Sequence, residues 1–392
     1  MPIHSGQSGF LIPPANDGIS HIAPYQPGKP IDELKRELGL EDVIKLASNE
    51  NPLGCSPLAK QAIVQAIDDI GRYPDGNGFA LKQQISQQFG VALNQITLGN
   101  GSNDILELVA RTFVATQDEV IYSQHAFAVY ALATQAVGAT GVEVPAKDYG
   151  HDLVAMANAV TDKTRVIFIA NPNNPTGTWF EESAFSQFMQ QVPATVLVVL
   201  DEAYVEYFPQ NFNSLKFLSQ YPNLLISRTM SKAFGLASLR VGFGLASVEV
   251  TNLLNRVRQP FNVSSFALVA AVAALKDTDF IEQSRALNQQ GMQQLEQGFK
   301  SLDLRWIPSR ANFIAVDVQR DGAQVFNALL KKGVIVRPVG GVYAMPQHIR
   351  VSIGLPEENQ RFLAALQQVL LEMPASNVAD FTTDTVQPTE QA

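Results

Sequence analysis

The feature that constrains the fold most is an alternation of short apolar runs with helix-like segments between residues 96 and 244. Strands are predicted at ITL (96–98), EVIY (119–122), GVEV (141–144), RVIFIA (165–170), TVLVVL (195–200), LLIS (224–227) and VGFG (241–244). Segments such as 103–114, 126–137 and 181–191 lie between these strands and have helical apolar spacing. Nearly all-apolar strands that alternate with helices are typical of a mostly parallel sheet covered on both faces. We therefore predict an α/β fold with a mostly parallel seven-stranded sheet, which binds its ligand at the carboxyl ends of the strands.

The pattern changes after about residue 250. A helical stretch over roughly 246–300 precedes short strands at 313–318, 334–339 and 349–354 and a helix over 357–372. These elements predict a smaller C-terminal α+β domain. A helix is also predicted over 31–40, followed by a loop over 45–58 that is rich in Asn, Pro and Gly.

This pattern divides the chain into four parts. Residues 1–30 form an extended arm, because proline and glycine are frequent there and no periodicity is present. The large domain covers 49–285, and the small domain combines 31–48 with 286–373. Residues 374–392 contain acidic but no basic side chains and form a disordered acidic tail.

Composition excludes several classes of protein. The chain of 392 residues is 46% apolar, which is enough for a sizeable core and excludes a mainly disordered protein. A net charge of −9 argues against nucleic-acid binding and against attachment to an anionic membrane. One cysteine and five scattered histidines predict no metal site. The N-terminus does not resemble a signal peptide, so we expect a cytoplasmic protein.

A lysine with phosphate-binding neighbours follows one predicted strand, within SRTMSKAFGLASLRVGFG (227–244). Lys232 can form a Schiff base with a carbonyl group if its pKa is lowered. The hydroxyls of Thr229 and Ser231, together with Arg240, can bind a phosphate. These are the requirements of pyridoxal phosphate. For a Ser-Lys pair taken alone, an ordinary loop lysine with a surface arginine is the favoured interpretation.

Two further motifs follow strand ends. In DEAYVEY (201–207), Asp201 can accept a hydrogen bond from a protonated pyridine nitrogen, and Tyr204 can donate one to a ring oxygen. In NPNNPTG (171–177), Asn174 is a neutral donor suited to the same oxygen. The alternatives are a strand-end acid that caps a helix and a plain turn.

A glycine-containing segment, GNGSNDILEL (99–108), follows a strand and opens a helix. Gly101, Ser102 and Asn103 would present N–H groups at the helix N-terminus, where a phosphate is stabilised. Phe127, just after the next strand, can stack on an aromatic ring or serve as a core residue.

The combination of NPNNPTG, DEAY, TMSK and an arginine eight residues after the lysine resembles the fold-type-I pyridoxal-phosphate aminotransferases of class I and II. The resemblance covers about residues 20–372. The branch that acts on L-histidinol phosphate is similar in HIAPYQPGKP (21–30), KLASNENPLGCSP (45–57), RYPDG (72–76) and RQPFNVS (258–264). Two features depart from the pattern: Thr229, where many relatives outside this branch have serine, and the C-terminal tail.

The resemblance implies roles for the cofactor-site residues. Lys232 would bind pyridoxal phosphate covalently and later move a proton. Contacts to the cofactor ring would come from Phe127, Asn174, Asp201 and Tyr204. Its phosphate would be bound by Ser102, Asn103, Ser231 and Arg240, with Thr229 as a weaker candidate. Tyr73 would reach the phosphate from the neighbouring subunit of a homodimer with a shared active site; otherwise it is a turn aromatic beside Pro74.

The resemblance also implies a substrate site. Arg350 would bind a carboxylate or phosphate, and Arg337 and Tyr25 would add phosphate contacts. Asn49 resembles a substrate-facing position. The expected reaction passes the amino group of L-histidinol phosphate to 2-oxoglutarate, which gives glutamate. For Arg337, a strand-end surface charge is the alternative.

Three alternative functions stay open at this point. An aromatic amino-acid aminotransferase would need Arg350 but neither Arg337 nor Tyr25. A decarboxylase of phosphorylated amino acids would release carbon dioxide without a keto acid. A non-enzymatic ligand-sensing domain is the third, although it would have no use for Lys232.

Overall fold

The computed structural model describes residues 17–20, 22, 29–208 and 212–373. Its strands are β1 (Ile44–Lys45), β2 (Ile96–Gly99), β3 (Glu119–Ser123), β4 (Thr140–Val144), β5 (Thr164–Ala170), β6 (Leu197–Asp201), β7 (Leu224–Thr229), β8 (Gly242–Ala246), β9 (Arg305–Ile307), β10 (Phe313–Asp317), β11 (Val334–Ile335), β12 (Arg337–Pro338) and β13 (His348–Ser352).

The helices are α1 (Asp17–Ser20), α2 (Ile31–Leu38), α3 (Pro57–Gln65), α4 (Phe79–Phe89), α5 (Ser102–Phe113), α6 (Val129–Ala136), α7 (Leu153–Asn158), α8 (Glu182–Gln191), α9 (Val248–Val257), α10 (Ser265–Lys276), α11 (Thr278–Ser301), α12 (Gly322–Lys331) and α13 (Pro356–Glu372). None of the helices in the described ranges is both long enough and apolar enough to cross a membrane.

The central sheet has seven strands in the order β2-β8-β7-β6-β5-β3-β4. The β3–β4, β3–β5, β5–β6 and β6–β7 pairs are parallel, whereas β8 is antiparallel to β2 and β7. The predicted mostly parallel seven-stranded sheet is therefore confirmed. Strands β5, β6 and β7 end side by side at Ala170, Asp201 and Thr229, so their carboxyl ends form one edge.

Both faces of this sheet are covered, which explains why its strands are nearly all apolar. In β6, Val198 and Leu200 pack into one core cluster, which includes side chains of α4, α7, α8 and α10. Leu197 and Val199 pack into the opposite cluster with side chains of α5, α6 and α9. Successive residues of a strand point to opposite faces, so one strand supplies two cores.

A smaller C-terminal unit packs beside the sheet. It contains the four-stranded antiparallel sheet β12-β13-β10-β9, the parallel pair β1–β11, and helices α11, α12 and α13. Its core includes Leu46 near the N-terminus together with Phe299 and Phe362. The N-terminal part of the chain thus contributes to a unit that is built mainly from residues after 286. The domain boundary between residues 285 and 286 remains a prediction.

Three predicted elements need correction. The helical stretch over 246–300 is three helices. Pro260 and the left-handed backbone of Phe261 (φ 58°) separate α9 from α10. Asp277, whose side chain caps the start of α11, separates α10 from α11. The strand over 334–339 is split, since β11 pairs with β1 and β12 pairs with β13. The loop over 45–58 ends earlier than predicted: Ser56 caps α3, whose first residue is Pro57.

Much of the predicted arm lies outside the described residues, which include only 17–20, 22, 29 and 30 of it. Residues 17–20 form the helix α1, so this part of the arm is not extended as predicted. The predicted tail, residues 374–392, lies entirely outside them.

Candidate active site

A cavity of about 280 Å³ lies at the carboxyl ends of β5, β6 and β7, against the C-terminal unit. Thirteen of the predicted site residues line it: Asn49, Ser102, Asn103, Phe127, Asn174, Asp201, Tyr204, Thr229, Ser231, Lys232, Arg240, Arg337 and Arg350. Parallel α/β sheets bind ligands at this edge because the carboxyl ends of several strands converge there. The cavity brings together motifs that are more than 300 residues apart in the chain.

Lys232 lies at the centre of this cavity. Its Nζ donates a hydrogen bond to the backbone oxygen of Ser48 at 3.0 Å. Burial, reinforced by the positive charges of Arg350 and Arg240, lowers the pKa of Lys232 to about 8. An amine with this pKa is partly neutral near pH 7, so it can act as a nucleophile and as a base.

Asp201 ends β6 and presents an unsatisfied oxygen. Its Oδ2 accepts a hydrogen bond from the Tyr130 hydroxyl at 3.0 Å, whereas its Oδ1 is buried and has no hydrogen-bond partner. Burial raises the pKa of Asp201 to about 6. A buried carboxylate oxygen without a hydrogen-bond partner favours a ligand that offers a cationic N–H group.

Tyr130 was missed by the sequence analysis. It lies three residues after Phe127, and the two rings pack edge to face with centroids 5.9 Å apart. Tyr130 is fully buried and also stacks on Phe168. Tyr130 is the last residue of QHAFAVY, but only the fold shows that its hydroxyl contacts Asp201.

Two side chains that line the cavity, Tyr204 and Asn174, have polar groups suited to a ring oxygen. Asn49 Nδ2 donates to the Tyr204 hydroxyl oxygen at 3.0 Å, which leaves the Tyr204 proton free to be donated elsewhere. Burial raises the pKa of Tyr204 to about 12, so this proton is retained at neutral pH. Asn174 Oδ1 accepts from Arg350 Nη1 at 2.6 Å, so its Nδ2 end is the one left to donate.

An anion site is built where α5 begins. Ser102 and Asn103 are the first two residues of α5, and backbone N–H groups at this position have no partner within the helix. Arg240 Nη1 donates to Ser231 Oγ at 3.3 Å, and Thr229 Oγ1 lies 3.0 Å from Ser231 Oγ. Helix N–H groups, hydroxyls and a guanidinium together favour a phosphate.

Gly101 has a different role from the predicted one. Its N–H donates to the Gly99 oxygen at 2.9 Å, so it is not available to an anion. The residue has φ 83°, and a Cβ there would lie 2.5 Å from Arg240 Nη2. Gly101 therefore acts through its missing side chain, which lets Arg240 approach the start of α5.

Two arginines line the part of the cavity that belongs to the C-terminal unit. Arg337 and Arg350 are directly opposite each other in the β12–β13 pair. Residues opposite each other in an antiparallel pair point to the same face, so both side chains extend from one side of this sheet. Arg350 is buried, and its Nη2 donates to the Ala47 oxygen at 2.6 Å. Arg337 lines this cavity and is half-buried, which favours the predicted substrate contact over a surface charge.

One predicted residue, Tyr73, lies apart from this cavity. Tyr73 is 83% exposed and stacks on Phe261 with ring centroids 4.8 Å apart. It lines a separate depression that also contains Arg240. Tyr25 lies outside the described residues. Within the described ranges, no group of three or more His, Cys, Asp or Glu side chains could hold a metal ion.

Comparison with known families and sequences gives consistent matches. Residues 41–366 match the family model described as aminotransferase class I and II. The chain is 60% identical over 367 residues to histidinol-phosphate aminotransferase 2 of Pseudomonas fluorescens, which covers 93% of this chain and 99% of that protein. It is 54% identical to the protein of the same name from Pasteurella multocida, over 91% of this chain and 98% of that protein.

A solved structure has the same architecture. The histidinol-phosphate aminotransferase of Sinorhizobium meliloti, in complex with pyridoxal-5'-phosphate, aligns with a TM-score of 0.85 and 29% identity. The alignment covers 94% of this chain and 99% of that chain.

Proposed function

Because this chain belongs to the class I and II aminotransferases, we propose that it transfers the amino group of L-histidinol phosphate to 2-oxoglutarate. Its relatives at 54–60% identity are histidinol-phosphate aminotransferases over nearly their whole length. The reaction class and the cofactor follow from the family. The observation that carries the substrate assignment is the pair of arginines that face each other across β12 and β13.

The cofactor of this family is pyridoxal phosphate, and the cavity fits it. The orphaned Oδ1 of Asp201 suits the protonated pyridine nitrogen, and the Tyr204 hydroxyl and Asn174 amide suit the ring oxygen. The N-terminus of α5, with Ser231 and Arg240, suits the phosphate. When bound, the cofactor supplies an electron sink for the pair of electrons released at the substrate α-carbon.

Lys232 is the residue we assign to proton transfer. Its lowered pKa lets the neutral amine take the proton from the α-carbon. The resulting ammonium group would then deliver this proton to the C4′ carbon of the cofactor and not back to the α-carbon. The hydrogen bond from Nζ to the Ser48 oxygen orients the amine, and Ser48 itself lines the cavity.

The paired arginines provide the substrate's anion site. A guanidinium binds carboxylate and phosphate oxygens through two parallel N–H groups, so Arg337 and Arg350 together suit a phosphate ester. The same groups can bind the carboxylates of 2-oxoglutarate in the second half of the reaction. Arg350 is held by Asn174 and by the Ala47 oxygen, so it is preorganised for binding.

We expect Arg337→Gln to raise the KM for L-histidinol phosphate about 10- to 100-fold, because a charged hydrogen bond to the phosphate is lost. The affinity for pyridoxal phosphate should stay within about twofold. Steady-state kinetics and titration of the apoenzyme with the cofactor measure the two effects. Arg305→Gln, which changes an exposed arginine on β9, is the matched control. An unchanged KM in Arg337→Gln would remove Arg337 from the substrate site.

A homodimer is the second part of the proposal. Large apolar side chains are exposed along 53–79 and at 261: Leu53, Leu58, Val64, Ile67, Ile70, Tyr73, Phe79 and Phe261. An exposed apolar patch of this kind marks an interaction surface. It adjoins the depression that contains Arg240, so a second copy on this face would bring its Tyr73 towards the phosphate site.

We expect Tyr73→Ala to weaken cofactor binding about tenfold and to complement a Lys232→Ala subunit. In a mixed dimer, one of the two sites would contain both wild-type residues. At a cofactor concentration well below the Kd of Tyr73→Ala, activity should therefore exceed that of either variant alone. Coexpression of differently tagged subunits followed by tandem purification isolates the mixed species. Activity no higher than the average of the parents would argue that the site is not shared.

A further inference from the structure

His125 connects the two parts of the fold that enclose the cavity. It follows β3 at the carboxyl edge of the central sheet, and its Nδ1 lies 2.5 Å from the backbone oxygen of Tyr343 in the C-terminal unit. A carbonyl oxygen can only accept, so Nδ1 carries the proton and donates it. This hydrogen bond can therefore form when the ring is neutral with its proton on Nδ1, and also when the ring is protonated on both nitrogens.

The backbone of His125 adopts a left-handed conformation, with φ 56°. Residues other than glycine adopt it at a cost, which surrounding contacts must offset. Its own carbonyl oxygen accepts a hydrogen bond from Asn173 Nδ2 at 3.0 Å, and its ring packs against Tyr149 with centroids 5.8 Å apart. His125 is thus held in place from the side of the large sheet, where Asn173 adjoins the cavity residue Asn174.

Tyr343 is held on the substrate side of the cavity. It ends the short helical turn Gly341–Tyr343, its side chain is 4% exposed, and it lines the cavity together with Arg337 and Arg350. The pKa of Tyr204 is raised mainly by burial, and the nearby Tyr343 phenol contributes to the same effect. The Tyr343 phenol therefore lies within electrostatic reach of Tyr204 inside the cavity.

We propose that His125 is a positioning residue that holds the Tyr343 phenol at the substrate side of the cavity, so that efficient use of the amino donor depends on the His125–Tyr343 contact. The proposal rests on the function proposed above. His125 touches neither Lys232 nor the anion site in the hydrogen-bond network, so its effect would reach the substrate through Tyr343.

Two substitutions separate the hydrogen bond from the backbone conformation. His125→Gly removes the donor and tolerates a positive φ. His125→Asn keeps an N–H donor the same number of bonds from Cβ as Nδ1, and asparagine also tolerates the left-handed region. If the glycine variant does not fold, His125→Asp replaces it, because aspartate has the shape of asparagine without the donor.

The experiment is a double-mutant cycle in kcat/KM for L-histidinol phosphate, with His125→Gly and Tyr343→Phe alone and combined. We expect His125→Gly to lower kcat/KM about three- to tenfold, mostly through KM, and His125→Asn to stay within about twofold of wild type. In the Tyr343→Phe background, the cost of His125→Gly should shrink below about twofold. Cofactor affinity should be unchanged in all variants. A general loss of structure would instead weaken cofactor binding.

Additive effects in the cycle would overturn the proposal, as would an asparagine variant as impaired as the glycine variant. A His125→Gly enzyme with wild-type kinetics would overturn it too. The proposed function is tested separately by the wild-type enzyme. If wild type does not use L-histidinol phosphate, the function fails, and the same cycle measured with its actual amino donor still decides on the His125 contact.

Discussion

Replacing Lys232 with alanine is expected to reduce kcat by about 10⁴-fold, the upper end of the range for loss of a positioned acid–base group. Lys232 is the basic group at the centre of the cavity, and its lowered pKa is what makes a neutral amine available near pH 7. Lys232→Arg should be equally inactive, because an arginine keeps the positive charge but cannot give up its proton in a protein. Stopped-flow and long-incubation assays of amino transfer measure the loss.

Lys216→Ala is the matched control, since Lys216 forms a surface ion pair with Glu182. Its kcat should equal that of wild type. A Lys232→Ala enzyme that kept more than about 1% of wild-type kcat would assign proton transfer to a different residue. Circular dichroism and cofactor titration of the variant show whether the fold and the phosphate site remain intact.

Asp201→Asn should reduce kcat by about 10²- to 10³-fold, the range for loss of one preorganised electrostatic group. Asparagine keeps the shape of the side chain and the contact with Tyr130, but not the negative charge that would pair with the protonated pyridine nitrogen of the cofactor. Without this charge a protonated pyridine nitrogen would no longer be stabilised, so the bound cofactor would be a weaker electron sink. Asp152→Asn is the control, because Asp152 caps α7 and asparagine caps a helix equally well.

The raised pKa of Asp201 also predicts how cofactor binding depends on pH. Because burial raises its pKa to about 6 in the protein without cofactor, Asp201 is ionised above that pH and becomes protonated below it. Cofactor affinity should therefore decrease as the pH falls through about 6. Asp201→Asn lacks the titrating carboxyl group. The difference between the pH profiles of cofactor affinity in wild type and in Asp201→Asn therefore isolates the contribution of Asp201. Parallel profiles would mean that Asp201 does not contact the cofactor nitrogen.

Much of the fold could be predicted because its strands are buried on both faces and therefore apolar throughout. Strands β2 to β8 follow from apolar runs to within two residues at each end. The break between β11 and β12 could not be predicted, because VIVRPV is continuous in sequence. Only the packing of the C-terminal unit pairs its first half with β1 and its second half with β13.

The site was predictable where a motif follows a strand end, as for Asp201, Asn174 and Lys232. Residues that act through distant partners were not predictable. Tyr130 matters because its hydroxyl reaches Asp201, 71 residues away, and His125 because its ring reaches Tyr343, 218 residues away. Gly101 is the opposite case, because the sequence identified the residue but not its role. A glycine is needed there because the Arg240 side chain lies too close for a Cβ atom, and the sequence alone does not show this contact.

The most direct test of the proposed function is a single-turnover spectrum of the holoenzyme without any keto acid. The enzyme is mixed with L-histidinol phosphate and, separately, with L-phenylalanine. We predict rapid conversion to the pyridoxamine form by L-histidinol phosphate and conversion at least about 100-fold slower by L-phenylalanine, which lacks a phosphate for the Arg337–Arg350 pair. The reverse preference, or release of carbon dioxide in place of amino transfer, would contradict the proposed function.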